Sequence, residues 1–479
     1  MSGLGTGGAL AHWHAVTEGL PLPRRLYAIA AISFGTSLVV IDGAIPSVAL
    51  PTIARDLGVD ESAAVLVVTI YQLVLVMTLL PFAALGDRIG HRRLYQLGQM
   101  VFVVATALCF FARSLPFLLV VRAFQSLGAA AALSVSAAML RTIYPPNQLG
   151  RGLGINSVIV SSGLALAPTL GGLILALGPW PWVFAAAVPF GLVSLILGRH
   201  LPEPEQHSQD FDIFGAVLCA ATFGLVISGL ESAVHGDSPV VSAAIVALGL
   251  VVGFYFVRRE LGETRPIMPV DLLGQRIFAL STLGAFTAFI ASMTLLLSMP
   301  FRLEQGFGFA PAEVGAMIAP WPLTTLFVAP AAGALSDKVP AGLLGGIGMT
   351  IATIALLCLA WLPAHPGWFD IAWRMSLCGA GFGLFLSPNA RLIIGSVPRE
   401  RAAAAGGLIS TTRMTGQTLG ATLIAALLAL KLGDGPTPPL VAAGLATIAG
   451  LCSVARLNPS LRKPVKEEVE DSQPGAQVR

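Results

Sequence analysis

Charge is scarce in this sequence. Only 11% of the 479 residues are charged, against roughly 25% in an average soluble domain. Hydrophobic residues make up 55%, and the mean hydropathy is +0.80. A soluble chain of this size must turn polar surface toward water, so an ordinary water-soluble enzyme and a disordered chain are both excluded. Cysteine is sparse too. Cys109, Cys219, Cys358, Cys378 and Cys452 are scattered through apolar stretches with no CxxC spacing. That excludes a disulfide scaffold and fits small core hydrophobes. No histidine falls in an apolar run; the seven stand at 12, 14, 91, 200, 207, 235 and 365. No P-loop, nucleotide-binding pair, H-E-x-x-H helix or catalytic triad pattern is visible. ATP hydrolysis, a catalytic centre and a bound metal are therefore not expected, and the net charge of +3 points to no nucleic-acid partner.

What the sequence has is long apolar runs. A helix needs about 20 apolar residues to cross a bilayer. Stretches of that kind fall at 26–50, 63–85, 94–113, 116–139, 152–177, 181–199, 212–233, 239–257, 277–301, 311–335, 342–362, 367–390, 402–430 and 438–457. The expectation is an all-α polytopic membrane protein with fourteen transmembrane helices. With the N-terminus in the cytoplasm, the outside segments hold only Arg55, Arg113, Arg302 and Lys431. Arg122, Arg374 and Arg413 lie within spans, and the rest of the 28 lysines and arginines fall on the cytoplasmic side. The positive-inside rule thus predicts both termini inside. The segment 1–25 lacks a short apolar core with a cleavage site, and the tail 458–479, with KEEVEDSQ and PGAQ, reads as disordered.

An internal repeat is visible. Leu85-Gly86-Asp87-Arg88 follows the second span and Leu335-Ser336-Asp337-Lys338 follows the tenth. Arg151 opens the fifth span and Arg401 the thirteenth; Arg122 and Arg374 lie early in the fourth and twelfth. The nearly constant offset predicts two parallel six-helix bundles, 26–200 and 276–457, with a linker and an inserted helix pair in 201–275. Parallel halves with a site between them at the midplane are the architecture of a rocking secondary transporter.

Four motifs carry the chemistry. Ala83-Ala84-Leu85-Gly86-Asp87-Arg88-Ile89-Gly90-His91-Arg92-Arg93 places a turn at Gly90 among one carboxylate and several cations. Ile41-Asp42-Gly43-Ala44-Ile45-Pro46-Ser47-Val48-Ala49-Leu50-Pro51 puts a carboxylate well inside the first span. Glu231, Glu313 and Asp370 sit near span ends. A membrane-buried acid is costly and is functional by default. Burial opposes its charge and a nearby cation favours it, so Asp42 suits proton binding. Arg122-Ala123-Phe124-Gln125-Ser126-Leu127-Gly128 buries an arginine at a depth matching Asp42, and a pair is expected. The alternative for both is a static polar contact between helices. Gly163-Leu164-Ala165-Leu166-Ala167-Pro168-Thr169-Leu170-Gly171-Gly172 makes a smooth stripe at every fourth residue, bent at Pro168. Span ten, with Pro320, Pro322 and Pro330, is its expected partner.

These stretches resemble the loop, first-helix, fourth-helix and fifth-helix signatures of the major facilitator superfamily, and within it the fourteen-span drug–proton antiporter family. Ala83, His91, Ala44, Pro46, Ser47, Ser126 and Ala167 depart from those signatures. The resemblance covers about residues 25–457. It implies a proton-driven exporter of small amphipathic compounds with no cofactor; the richness in small residues and the preference for arginine over lysine point to a bacterial inner membrane. Asp42 and Arg122 would carry proton coupling. Asp87, Arg88, Gly90, Arg92, Arg93 and Asp337 would form the inner gate, with Asp87 docked on the start of span thirteen and Asp337 on the start of span five. Gly163, Ala167, Pro168, Gly171 and Gly172 would seal the outer side, as in exporters. Gln72, Gln125, Phe286, Phe289, Trp321, Arg374, Asn389 and Arg413 are candidates for the cavity. Three buried cations against one acid leave open a static role for the extra arginines, or a neutral or partly anionic substrate. A solute importer or a non-transporting receptor on the same scaffold is the competing reading. The expected partners are the substrate, protons and lipid, with a periplasmic adaptor left open.

Overall fold

The computed structural model describes residues 20–145, 163, 166–202, 212–234, 236, 238–263, 266–397 and 401–458. All regular structure among them is helical. The first half comprises α1 (Leu22–Ala44), α2 (Pro46–Leu57), α3 (Glu61–Ile89), α4 (His91–Cys109), α5 (Leu115–Ile143), α6 (Leu166–Leu177), α7 (Trp182–Ala185) and α8 (Val188–Gly198). A hairpin follows, α9 (Ile213–Val234) and α10 (Pro239–Glu260). The second half comprises α11 (Arg276–Phe301), α12 (Pro311–Ile318), α13 (Pro320–Leu335), α14 (Ala341–Ala360), α15 (Trp368–Gly395), α16 (Ala402–Ala429) and α17 (Thr437–Ala455). A 3₁₀ turn at Val270–Gly274 precedes α11, and a π turn at Arg302–Gly306 extends it.

Ten helices among the described residues are long and apolar enough to cross a membrane. The fourteen expected stretches do not all reach that standard. α4 opens on His91, Arg92 and Arg93, α16 is rich in Gly, Thr and Ser, and the stretches at 166–177 and 182–198 form shorter helices. The N-terminal residues 1–19, the start of the fifth span with Arg151, and the tail from 459 lie outside the described residues.

The halves are built alike. In the first, α4 packs on α5, α3 on α5, and α8 on both α1 and α4. In the second, α14 packs on α15, α13 on α15, and α17 on both α11 and α14. Each pairing in one half has its counterpart in the other. Proline sets the breaks. Pro46 divides α1 from α2 and Pro320 divides α12 from α13, because a proline inside a helix removes one backbone hydrogen bond and clashes with the preceding turn. The hairpin lies to the side. α9 packs on α3 and α16, whereas α10 packs on α9, and these two are the least buried of the long apolar helices.

The two cores merge at the end of the bundle opposite the basic loop at Arg88–Arg93. There Val48 of α2 joins Leu295, Met299, Val314 and Ile318 of the second half. Leu297, Phe301 and Ile424 join Ala49, Leu50 and Ile53 of the first. Arg55 reaches across to Glu304 at 3.5 Å.

Candidate functional site

Asp42 and Arg122 form a buried ion pair. α1 carries Asp42 in its last turn and α5 carries Arg122 two turns from its start, so both arrive at the same depth. Arg122 Nη1 donates to Asp42 Oδ2 at 2.6 Å and to Gln125 Oε1 at 2.6 Å. Its Nε donates to the Val67 carbonyl at 3.2 Å. Its guanidinium lies over the Tyr71 ring at 4.2 Å and the Phe184 ring at 5.3 Å. Gln125 passes the network on to Thr106 at 2.7 Å. Asp42 is 2% exposed and Arg122 fully buried. Asp42 Oδ1 and Arg122 Nη2 are buried with no hydrogen-bond partner among the described residues. Breaking such a pair leaves an uncompensated charge, at about 3–5 kcal/mol. A proton on Asp42 avoids that charge on the carboxylate but releases the arginine. The pair ties together α1, α3 and α5.

A cavity of about 540 Å³ lies beside this pair, between the halves. Ala44 and Pro168 contribute from the first half. The second half supplies Phe289, Ser292, Met293, Trp321, Thr325, Phe382, Asn389, Arg413 and Gln417, among others. Its lining runs from mid-membrane to Ile393, near the basic end of α15. Trp321 and Phe382 form one wall, with ring centroids 5.7 Å apart. A cavity of this size, mostly apolar with a few placed polar groups, suits a small organic ligand.

The glycine–proline stripe closes the opposite end. A Cβ on Gly172 would stand 2.8 Å from the Pro311 carbonyl oxygen, and one on Gly315 would stand 2.4 Å from the Pro168 carbonyl oxygen. The backbones of α6 and α12 meet with no room for a side chain. Gly163 faces Ile41 of α1 and Gly171 faces Ile45 at the junction of α1 and α2 instead, and Ala167 is buried in the first core. The partner is span ten, as expected, but through Pro311 and Gly315. Of the three prolines anticipated there, Pro322 lines the cavity.

Among the described residues, neither Asp87 nor Asp337 pairs across the halves. Gly90 makes the expected turn, with φ +97°. Asp87, two-thirds exposed, pairs with His91 Nε2 at 2.9 Å within its own segment. Asp337 pairs with Arg391 of α15, and the start of the fifth span lies outside the described residues. At the same end Arg401 pairs with Asp271 of the linker, and its hydrogen bonds hold the Asp271 carboxyl below the usual carboxylate range. Arg259 does the same for Asp212 at 2.6 Å.

Of the other cavity candidates, Phe289, Trp321, Asn389 and Arg413 line the space. Gln125 belongs to the ion-pair network, and Gln72 is buried with Oε1 unpartnered. Phe286 and Arg374 are not in the lining. Arg374 is a correction: it donates to the carbonyls of Cys358 and Asp370 and stacks on Trp373 at 4.5 Å. It is the repeat mate of Arg122, but its acid is Asp370 of its own helix, at 3.5 Å. Two arginines placed in loops by the sequence are buried instead. Arg302 donates to the carbonyls of Leu359 and Ala360. Arg456 binds Ser281, Ser453 and Asn389. Glu231, near its span end, is also buried and accepts from Thr422 at 2.5 Å.

A family model described as Major Facilitator Superfamily matches residues 32–421 and 281–477. The chain belongs to the major facilitator superfamily. It is therefore an integral membrane transporter of that superfamily. The uncharacterized transporter YebQ of Escherichia coli (strain K12) is 43% identical over 91% of this chain and 96% of its own length. The riboflavin transporter RibZ of Clostridioides difficile (strain 630) is 29% identical over 86% of this chain and 90% of its own. The multidrug resistance protein Stp of Mycobacterium tuberculosis (strain CDC 1551 / Oshkosh) is 30% identical over 87% and 78%.

Proposed function

We propose that this superfamily member is a fourteen-span proton-coupled antiporter that exports small amphipathic compounds by alternating access. The observation that carries the reading is the buried Asp42–Arg122 pair beside the inter-half cavity. Asp42 takes a proton when the pair opens, and Arg122 falls back on Gln125 and the Val67 carbonyl. Reforming the pair returns the proton. The tight contact of α6 with α12 supports export, because it gives the far side a seal that two backbones close without side chains. The 21 lysines and arginines assigned to the basic end support its placement in the cytoplasm of a bacterial inner-membrane protein. The cavity then faces inward, positioned to collect a compound from the cytoplasm. Asp87 and its neighbouring arginines release the inner gate in this arrangement and dock when it closes. The resistance name of one relative fits a drug-sized cargo; the riboflavin name of another fits a flat aromatic one. Transport of this kind uses no cofactor and no catalytic residue.

Everted membrane vesicles from cells expressing the chain test direction and coupling together. With respiration acidifying the lumen, fluorescent amphipaths are expected to accumulate inside, and a protonophore is expected to abolish the accumulation. Accumulation that survives the protonophore, or movement out of the vesicles, contradicts the reading.

A further inference from the structure

Among the described residues, every other buried arginine has a partner and Arg413 has none. Arg122, Arg302, Arg374 and Arg456 each spend their donors on carbonyls, hydroxyls, amides or a carboxylate. Arg413 has no hydrogen bond, ion pair or ring contact to any described residue. It is partly buried on α16, eleven residues past Ala402, which is about 16 Å into the helix. It lines the cavity, and among the described residues it is the only charged one that does. A permanently charged group at mid-membrane is expensive unless water or a counter-ion meets it, and guanidinium stays charged at any physiological pH. The described lining supplies no anion. Ser292 and Gln417 offer neutral polar atoms; Phe289, Trp321 and Phe382 offer aromatic faces.

Resting on the transport reading above, we infer that Arg413 is the recognition point for an anionic headgroup, so that the cavity selects amphipathic aromatic anions, carboxylates above all, over cations. The headgroup takes the bidentate geometry that guanidinium offers a carboxylate. The ring system lies between the aromatic walls, and Gln417, one turn beyond Arg413 on the same helix, donates a further hydrogen bond. A lipophilic cation in the same place meets a like charge with no acid in the lining to offset it. Asp42 cannot serve, because its carboxylate is already committed to Arg122 and lies outside the lining.

Binding to the full chain in lipid nanodiscs tests this without reference to proton coupling. The probes are 1-naphthaleneacetate, its neutral amide, and 1-naphthylmethylammonium, which share one ring system. The wild type is expected to bind the anion at least about tenfold more tightly than the other two, the size of one charge-assisted contact. Arg413→Gln is expected to lose that preference. Arg413→Lys, which keeps the charge without the fork, is expected to retain part of it and shows that loss in Arg413→Gln is not misfolding. Equal affinity for the three probes, preference for the cation, no binding of the anion, or a preference that survives in Arg413→Gln would each overturn the assignment. Substrate-triggered proton flux assayed in parallel on the wild type separates the two readings. Arg413-dependent anion binding in a wild type that shows no proton flux keeps the Arg413 site and discards the antiport.

Discussion

At the scale of single residues, burial and pairing decide what each charge does. Asp42 and Arg122 were legible as a pair from sequence because both sit at computable depths on their helices, and the structure brings them to 2.6 Å. The destinations of Arg302 and Arg456 were not legible. Their partners are carbonyls and hydroxyls from helices distant in sequence, and no spacing rule announces such a site. Asp271 gives a residue-scale prediction. Arg401 holds its carboxyl below the ordinary range. A lowered folded value means that the carboxylate stabilises the fold above the ordinary aspartate pKa of about 3.9, and that this contribution is lost as pH falls through the lowered value. Asp271→Asn is therefore expected to lower thermal stability at pH 7. The difference from wild type is expected to shrink on acidification below pH 4. A difference that is constant across that range would show that the ion pair contributes nothing. Because both side chains are well exposed, the effect at pH 7 should be small, within about 1 kcal/mol.

At the scale of elements, α6 and α12 meet backbone to backbone between the halves. The glycine stripe was visible as a four-residue period, and its partner helix was anticipated. The contact residues were not, because Pro46 and Pro320 break their spans and re-aim the outer segments. Gly315 faces the Pro168 carbonyl with space for hydrogen only, and backbone cannot step aside as a flexible side chain can. Gly315→Ala is expected to open this end and move the population toward the opposite conformation. A cysteine placed at Ser292 in the cavity reads the change. Its labelling by an impermeant thiol reagent from the outside should rise several-fold in the Gly315→Ala background. Unchanged labelling would mean that the junction is not a gate.

At the scale of the whole molecule, two helical bundles of matching internal packing enclose a cavity, with a hairpin to the side. The repeat was readable because Asp87 and Asp337, and Arg122 and Arg374, recur at almost one offset. The helix boundaries were readable to within a few residues for the strongly apolar spans. They were less so where function puts polar residues in membrane helices, as in α16 with its Thr, Gly and Gln run. The hairpin carries no motif, and the sequence alone says only that it preserves the orientation of the second half. The central claim joins the scales: one carboxylate in α1 couples proton entry to the rocking of two bundles around a cavity. Substrate-triggered proton movement in liposomes holding a pH-sensitive dye tests it most directly, with wild type and Asp42→Asn compared under one imposed proton gradient. The account predicts flux in the wild type on adding amphipathic substrate and none in Asp42→Asn. Equal flux from the two proteins would contradict it and leave Asp42 as a structural partner of Arg122.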